Sequence, residues 1–298
     1  MNTDNIVNDN IINDNICIVT AFFDIGRGEW NNEYKRSSNF YLESFLHYLD
    51  YPYNMVCFID DRYIDTILQY YTKSSYHNKK FIPINEKWLE NNIHSWKQIY
   101  KDKEILSSDE YKKKIEFRKK IIVDLNLTIP KNYYNFLPEN ENPKYNSINH
   151  SKIDFIMYSI QNGYIKEDIT CWCDFGYFGT QHKNNKETFP TSTLDITKFS
   201  NNKITFFLKK NVEKKDLDPN YTLIYAPEVF TGTFWGGPTN LMSKMQELYH
   251  NCVEELYSIN ISDDDQHIYL RCCLKQNDMF DLKLCSENPK GLLYFQIN

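Results

Sequence analysis

Two short apolar runs, with a helix-spaced segment between them, place the first limit on this chain. Ile16 to Phe23 is rich in β-forming residues, and Met55 to Ile59 repeats the pattern before closing on Asp60-Asp61. Between them Tyr34, Tyr41, Phe45, Tyr48 and Leu49 keep helical spacing. Asn31 or Asn32 supplies a cap, Glu33 sits in the first turn, and Asp50-Tyr51-Pro52 stops the helix. Two strands joined through a helix run parallel, because the crossover returns the chain to its starting edge. Such units are right-handed.

The same alternation continues. Residues 62 to 82 read as helix leading into a strand at Lys80 to Ile84, and 86 to 125 are largely helical. Pro130, Pro138 and Pro143 mark 130–148 as a loop or excursion. Ser151, with Asp154 three residues on, caps a helix whose face is Ile153, Ile156, Met157 and Ile160, and Gly163 ends it. Strands follow at Ile169 to Trp172, Ile204 to Leu208 and Thr222 to Ala226, then Phe230 to Trp235 ending at a Gly236-Gly237 turn. Pro238 opens a helix with the stripe Leu241, Met245, Leu248, Cys252 and Leu256. Ser262 caps Asp263 to Leu274, and Phe280 to Leu284 and Leu292 to Ile297 add edge strands. Alternating elements with no second compositional block predict one α/β domain over 16–298, with an excursion at about 85–148. Residues 1–15, with their Asp-Asn-Ile repeats, read as a disordered leader.

A net charge of −6 disfavours nucleic acid or an anionic membrane as partner. The basic runs Lys112-Lys113-Lys114 and Arg118-Lys119-Lys120 are flanked by Glu and Asp, as on the solvated face of a helix. The eight cysteines form no CxxC pair, which argues against zinc, and most lie in apolar runs as reduced core thiols do. No secretion signal and no membrane-length apolar run is present, so a cytoplasmic location is expected. Aromatics reach 16%, which suits either a carbohydrate site or an A+T-rich coding bias.

Four segments carry chemistry. In Cys171-Trp172-Cys173-Asp174-Phe175-Gly176-Tyr177 an apolar run ends in a carboxylate and then a glycine. That pattern delivers an acid to the rim of a sheet, where ligands of open α/β folds bind. Asp174 is the candidate ligand for magnesium or manganese, with Asp60 and Asp61 as possible neighbours. A solvated strand-end turn fits the segment equally well. Thr20 to Arg27 places an arginine between Gly26 and Gly28, suited to a phosphate or to an exposed turn. Gly232-Thr233-Phe234-Trp235-Gly236-Gly237 reads as a sugar platform or as a tight turn with Trp235 in the core. Asp263-Asp264-Asp265-Gln266 opens a helix, where acids meet the dipole or hold a sugar ring. GxGxxG and GxxxxGK[ST] are both missing, so a dinucleotide enzyme or a P-loop ATPase is not supported.

In order, Val19 to Gly28 with Trp30, Trp172 to Tyr177, Phe234 to Gly237 and Asp264 to Gln266 resemble the HtrL/YibB family, a group with nucleotide-sugar-transferase character. The resemblance covers about residues 16 to 285. It implies a GT-A-like fold, a Rossmann-type nucleotide half and an acceptor half sharing one mixed, mostly parallel sheet. It also implies a metal-assisted glycosyltransferase with a UDP-linked sugar donor and a glycan or protein acceptor. Under it Thr20, Ala21 and Phe22 meet the nucleoside, and Arg27 and Lys152 the phosphates. Trp235, Gly236, Gly237, Asp265 and Gln266 approach the transferred sugar, and Asp264, Asp265 and Gln266 are the expected catalytic residues, Asp264 or Asp265 acting as base or orienting the acceptor. Asp174 matches the first Asp of an Asp-x-Asp metal motif, but Gly176 stands where the second belongs. That departure keeps an inactive sugar- or nucleotide-binding protein open as a second reading. A metal-dependent phosphoesterase built on Asp174 with Asp263 to Asp265 is a third.

Overall fold

The computed structural model of the chain describes residues 13–30, 34–49, 52–74, 77–124, 137–177 and 194–284. The expected strand at Leu292 to Ile297, and most of the expected leader, lie outside these residues. One seven-stranded sheet organises them, in the order β3-β2-β1-β4-β6-β5-β7. The strands are β1 Asn13–Phe22, β2 Tyr53–Asp60, β3 Lys79–Ile84, β4 Ile169–Cys173, β5 Ile204–Leu208, β6 Phe234–Pro238 and β7 Phe280–Leu284. β1 therefore opens at Asn13, inside the segment read as leader. β1 pairs in parallel with both β2 and β4, β2 with β3, and β5 with β7. β6 runs antiparallel to β4 and β5. This is the mixed, mostly parallel α/β sheet that the resemblance implied.

Helices cover both faces. They are α1 Ser38–Leu49, α2 Ile64–Tyr71, α3 Glu86–Asn92, α4 His94–Lys97, α5 Ile99–Ser107, α6 Asp109–Asp124, α7 Pro138–Glu141, α8 Pro143–His150 and α9 Lys152–Gln161. After β5 come α10 Pro219–Tyr225, α11 Met242–Ser258 and α12 Asp265–Lys275. Period-two alternation sorts each strand between two cores. Val19, Val56, Phe58, Trp172, Phe206 and Trp235 join the side that includes α9, α11 and α12. Ile18, Cys57, Ile59, Cys171, Cys173 and Phe234 join the side packed by α1 and α2. The seven described cysteines are buried.

Several local expectations are corrected. α1 starts at Ser38, where the Ser37 hydroxyl accepts the Phe40 amide at 3.2 Å, so Tyr34 precedes the helix; the expected caps Asn31 and Asn32 lie outside the described residues. Thr222 to Ala226 is helix α10, not strand: Asp218 accepts the Asn220 amide, Pro219 takes the first turn, and Ala226 closes it at φ 40°. The region around Pro138 and Pro143 is helical, each proline sitting at a helix start where its missing N–H costs nothing. Ser151 and Ser262 do not cap. Ser151 Oγ donates back to the Ser147 carbonyl, while Ser262 Oγ donates to Asp102 and Asp264 takes the α12 cap.

The largest correction concerns the glycine pair. Gly236 and Gly237 lie inside β6, paired with Cys171 and Thr170, and not in a turn beyond a strand. A Cβ on Gly236 would sit 2.5 Å from Cys171 Sγ and 2.8 Å from the Thr170 carbonyl oxygen. These glycines let β6 press against its neighbours. Gly236→Ala is expected to cost about 1–3 kcal/mol through overpacking, read from urea unfolding. A neutral result would mean the strand contact relaxes freely.

Candidate active site

β1 and β4 are adjacent and parallel, so their carboxyl ends open onto the same rim. A cavity of about 400 Å³ lies there, lined by Ala21, Phe22, Asp24, Arg27, Tyr41, Tyr145, Lys152, Trp172, Asp174 and Thr233 among others. β6 meets that rim with its amino end, and the Asp174 amide donates to the Thr233 carbonyl at 2.8 Å.

Gly26 turns the chain after β1 at φ 83°, in the left-handed region that favours glycine. That turn aims Arg27 inward. Its Nε and Nη2 donate to the Tyr34 carbonyl at 3.2 and 2.8 Å, and Nη1 to the Tyr41 hydroxyl at 2.6 Å. The guanidinium lies 5.1 to 5.9 Å from the ring centres of Trp30, Tyr145 and Tyr41. Arg27 thus meets a carbonyl, a hydroxyl and aromatic rings, and among the described residues no carboxylate forms an ion pair with it.

Lys152 opens α9 and is buried. Its ammonium lies 2.7 Å from Asp265 Oδ2 and 3.1 Å from Asp174 Oδ1, and it donates to the Gly232 carbonyl at 3.1 Å. Burial works to strip this proton, but the two carboxylates overrule it and hold the pKa above the ordinary lysine value. Burial pushes the Asp265 carboxyl up, against the pull of Lys152. Asp174 Oδ1 also accepts the Trp172 indole N–H at 2.7 Å. Gly232 is required here, since a Cβ would meet Asp265 Oδ2 at 2.9 Å.

The sequence-predicted residues divide. Ala21, Phe22, Arg27, Lys152 and Asp174 share the cavity wall. Asp265 reaches it through Lys152, and Gln266 lies beside Gly232. Thr20 is buried within the sheet. Asp264 caps α12 by accepting the Gln266 amide, and burial and the adjoining Asp265 and Asp263 push its carboxyl up to about 7 against the pull of His267. Trp235, Gly236 and Gly237 do not line the cavity: the Trp235 ring is buried against Phe206 and Tyr269. Asp60 is engaged by Arg62 and the Asp24 amide, and Asp61 by Asn85 Nδ2. Sequence reasoning missed Tyr41, Tyr145, Asn149 and Thr233. Tyr145 and Asn149, four apart on α8, had a helical spacing that the prolines concealed.

Among the described residues Asp263, Asp264 and His267 form a group whose ligand atoms lie within 4.8 Å of one another. His267 Nδ1 already shares a hydrogen bond with Asp263 Oδ2 at 2.8 Å. Burial works to lower the His267 pKa, but Asp263 and Asp264 raise it to about 10.

His150 behaves oppositely. Burial drives its pKa down to about 4. Below the unfolded value of about 6.5 the unfolded chain takes up a proton that the folded chain refuses. Stability is therefore lost as pH falls from about 6.5 to about 4, by up to about 3 kcal/mol. Asp264, with its carboxyl raised to about 7, contributes the opposite slope in both proteins, so urea midpoints between pH 4 and 7 should fall more, or rise less, with acid in the wild type than in His150→Gln. Equal slopes would assign the acid sensitivity elsewhere.

A family model, HtrL_YibB, described as a bacterial protein of unknown function, matches residues 14–289. The chain belongs to the HtrL_YibB family. It is 25% identical over 278 residues to Protein HtrL of Escherichia coli (strain K12), across 89% of this chain and 86% of that protein. Among solved structures, the apo form of mouse xyloside xylosyltransferase 1 aligns over 90% of this chain and 84% of its own, with TM-score 0.40 and 8% identity. The 4-diphosphocytidyl-2C-methyl-D-erythritol synthase of Anaerococcus prevotii DSM 20548 aligns over 92% and 88%, with TM-score 0.33 and 10% identity. At these TM-scores the reading of the site rests on the chain's own residues. No helix among the described residues is long and apolar enough to cross a membrane.

Proposed function

We propose that this chain is a glycosyltransferase that takes a sugar from a nucleotide-diphosphate donor, a UDP-linked sugar, and passes it to a glycan or protein acceptor. One observation carries the reading: a guanidinium with no carboxylate partner among the described residues faces an aromatic cavity at the carboxyl ends of two parallel strands. Ligands of open α/β sheets gather at that rim, and the cavity of about 400 Å³ has the size of a small-molecule site. Aromatic walls accept the flat base, while Ala21 and Phe22 flank the nucleoside. Arg27 meets the diphosphate, whose negative charge grows as the sugar departs. Asp174 orients the sugar from the cavity wall, Asp265 acts on that wall through Lys152, Gln266 lies beside Gly232, and Asp264 fixes the start of α12.

The manganese or magnesium expected on Asp174 does not fit this donor set. Such ions take several oxygen ligands, but an ammonium lies 3.1 Å from Asp174 Oδ1. A side chain at the second motif position, Gly176, would put its Cβ 3.0 Å from the Tyr41 ring. Asp263, Asp264 and His267 stand outside the cavity wall. The same Lys152 contact favours the second reading, a protein that binds the donor without turning it over.

Release of nucleoside diphosphate from a panel of UDP-, GDP- and CDP-sugars tests the proposal. Wild type is expected to release UDP, and Asp174→Asn to lose at least tenfold in rate. Nucleotide binding without release would select the binding protein, and equal rates would remove Asp174 from the mechanism.

A further inference from the structure

We infer that the donor diphosphate is held by fixed side-chain cations in place of a divalent ion, with Arg27 as the principal contact. This rests on the nucleotide-sugar reading above. Three observations carry it.

First, a protein cation already occupies the metal's place. The Lys152 ammonium is engaged on three sides: it donates to the Gly232 carbonyl and lies at ion-pair distance from Asp265 and Asp174. Lys152 therefore acts as a lock and not as a phosphate ligand. Its single charge offsets part of the negative charge of Asp174 and Asp265 that would otherwise repel a diphosphate. A divalent ion on Asp174 would have to share that carboxylate with the ammonium and the Trp172 indole.

Second, the opposite wall supplies an anion receptor. A guanidinium offers five donors in a planar fork. Tyr34 and Tyr41 fix the plane of Arg27 with three of these N–H groups, leaving donors for a ligand. The ring faces of Trp30, Tyr41 and Tyr145 shield it from water. Charge-assisted hydrogen bonds to phosphate are strongest from such a preorganised, partly desolvated fork. Arg36 lines the same cavity and adds a second guanidinium.

Third, the remaining wall acid is already answered. Asp24 accepts hydrogen bonds from Ser38, Tyr63 and the Gly26 amide, and Arg62 lies 3.8 Å away. Opposing its burial, these partners keep its pKa below the ordinary carboxylate value. The charge of Asp24 is thus answered within the protein.

The test is calorimetric titration of the full chain with UDP, in EDTA and again in manganese chloride, with GDP, ADP and CDP as comparison probes. UDP is expected to bind with affinities agreeing within about threefold in the two buffers. Arg27→Gln is expected to weaken UDP at least tenfold in EDTA, as loss of a charge-assisted contact does. The wild-type comparison needs no variant and stands even if Arg27→Gln fails to fold. A tenfold or greater gain with manganese overturns this inference and leaves the transferase reading intact. A folded Arg27→Gln of unchanged affinity also overturns it. If none of the four nucleotides binds in either buffer, both the inference and the reading beneath it fail.

Discussion

Lys152→Met is expected to destabilise the chain by about 3–5 kcal/mol, the usual cost of leaving a buried charge without its partner. The Lys152 and Asp265 side chains are 6% and 4% exposed, so water cannot take over the ammonium's role. Asp174, at 32%, is better solvated and carries less of the cost. Asp265 is expected to respond by taking up a proton. The penalty should therefore shrink as pH falls, which separates it from a packing defect. Urea unfolding of Lys152→Met, Asp265→Asn and the double variant at two pH values checks the point. The double variant should recover much of the loss, giving a coupling energy of about 1–3 kcal/mol. Additive effects with no pH response would show that Lys152 serves as packing alone.

Trp235→Ala is expected to cost about 3–5 kcal/mol, as for any large aromatic removed from a core. Phe206 stacks on the indole with ring centres 5.3 Å apart, and Tyr269 meets it at 5.6 Å. Tm should fall by roughly 10 °C, and Trp235→Phe should restore most of it. A sugar platform would behave differently: the alanine variant would keep its Tm and lose sugar affinity. Thermal melts of the two variants beside donor titrations distinguish these outcomes.

The resemblance read from Val19 to Gly28 and Trp172 to Tyr177 is upheld by the family match over residues 14–289. Both segments also supply the cavity wall. They were legible because each joins a buried parallel strand to the loop at its carboxyl end, a local pattern with a known spatial address. The segment at Phe234 to Gly237 has the same appearance and a different address. A five-residue apolar run looks the same whichever way it points, and only its antiparallel pairing with β4 shows which end faces the site. Thr233, just before β6, occupies the rim assigned to Gly236 and Gly237. Caps failed for a related reason. Ser262 and Asp264 are both good capping residues, and the demand of buried Asp102 for the Ser262 hydroxyl decided between them.

Alternation of strand and helix, the two faces of each strand and the acid at the end of β4 are written in the sequence, because backbone periodicity ties them to near neighbours. The environment of that acid is not. Lys152 meets the Gly232 carbonyl 80 positions along the chain and joins Asp174 to Asp265. Whether a carboxylate faces a metal, water or an ammonium depends on which strands lie side by side and in which direction. Only the assembled sheet determines that, because charges interact through distance in space and not through separation in sequence.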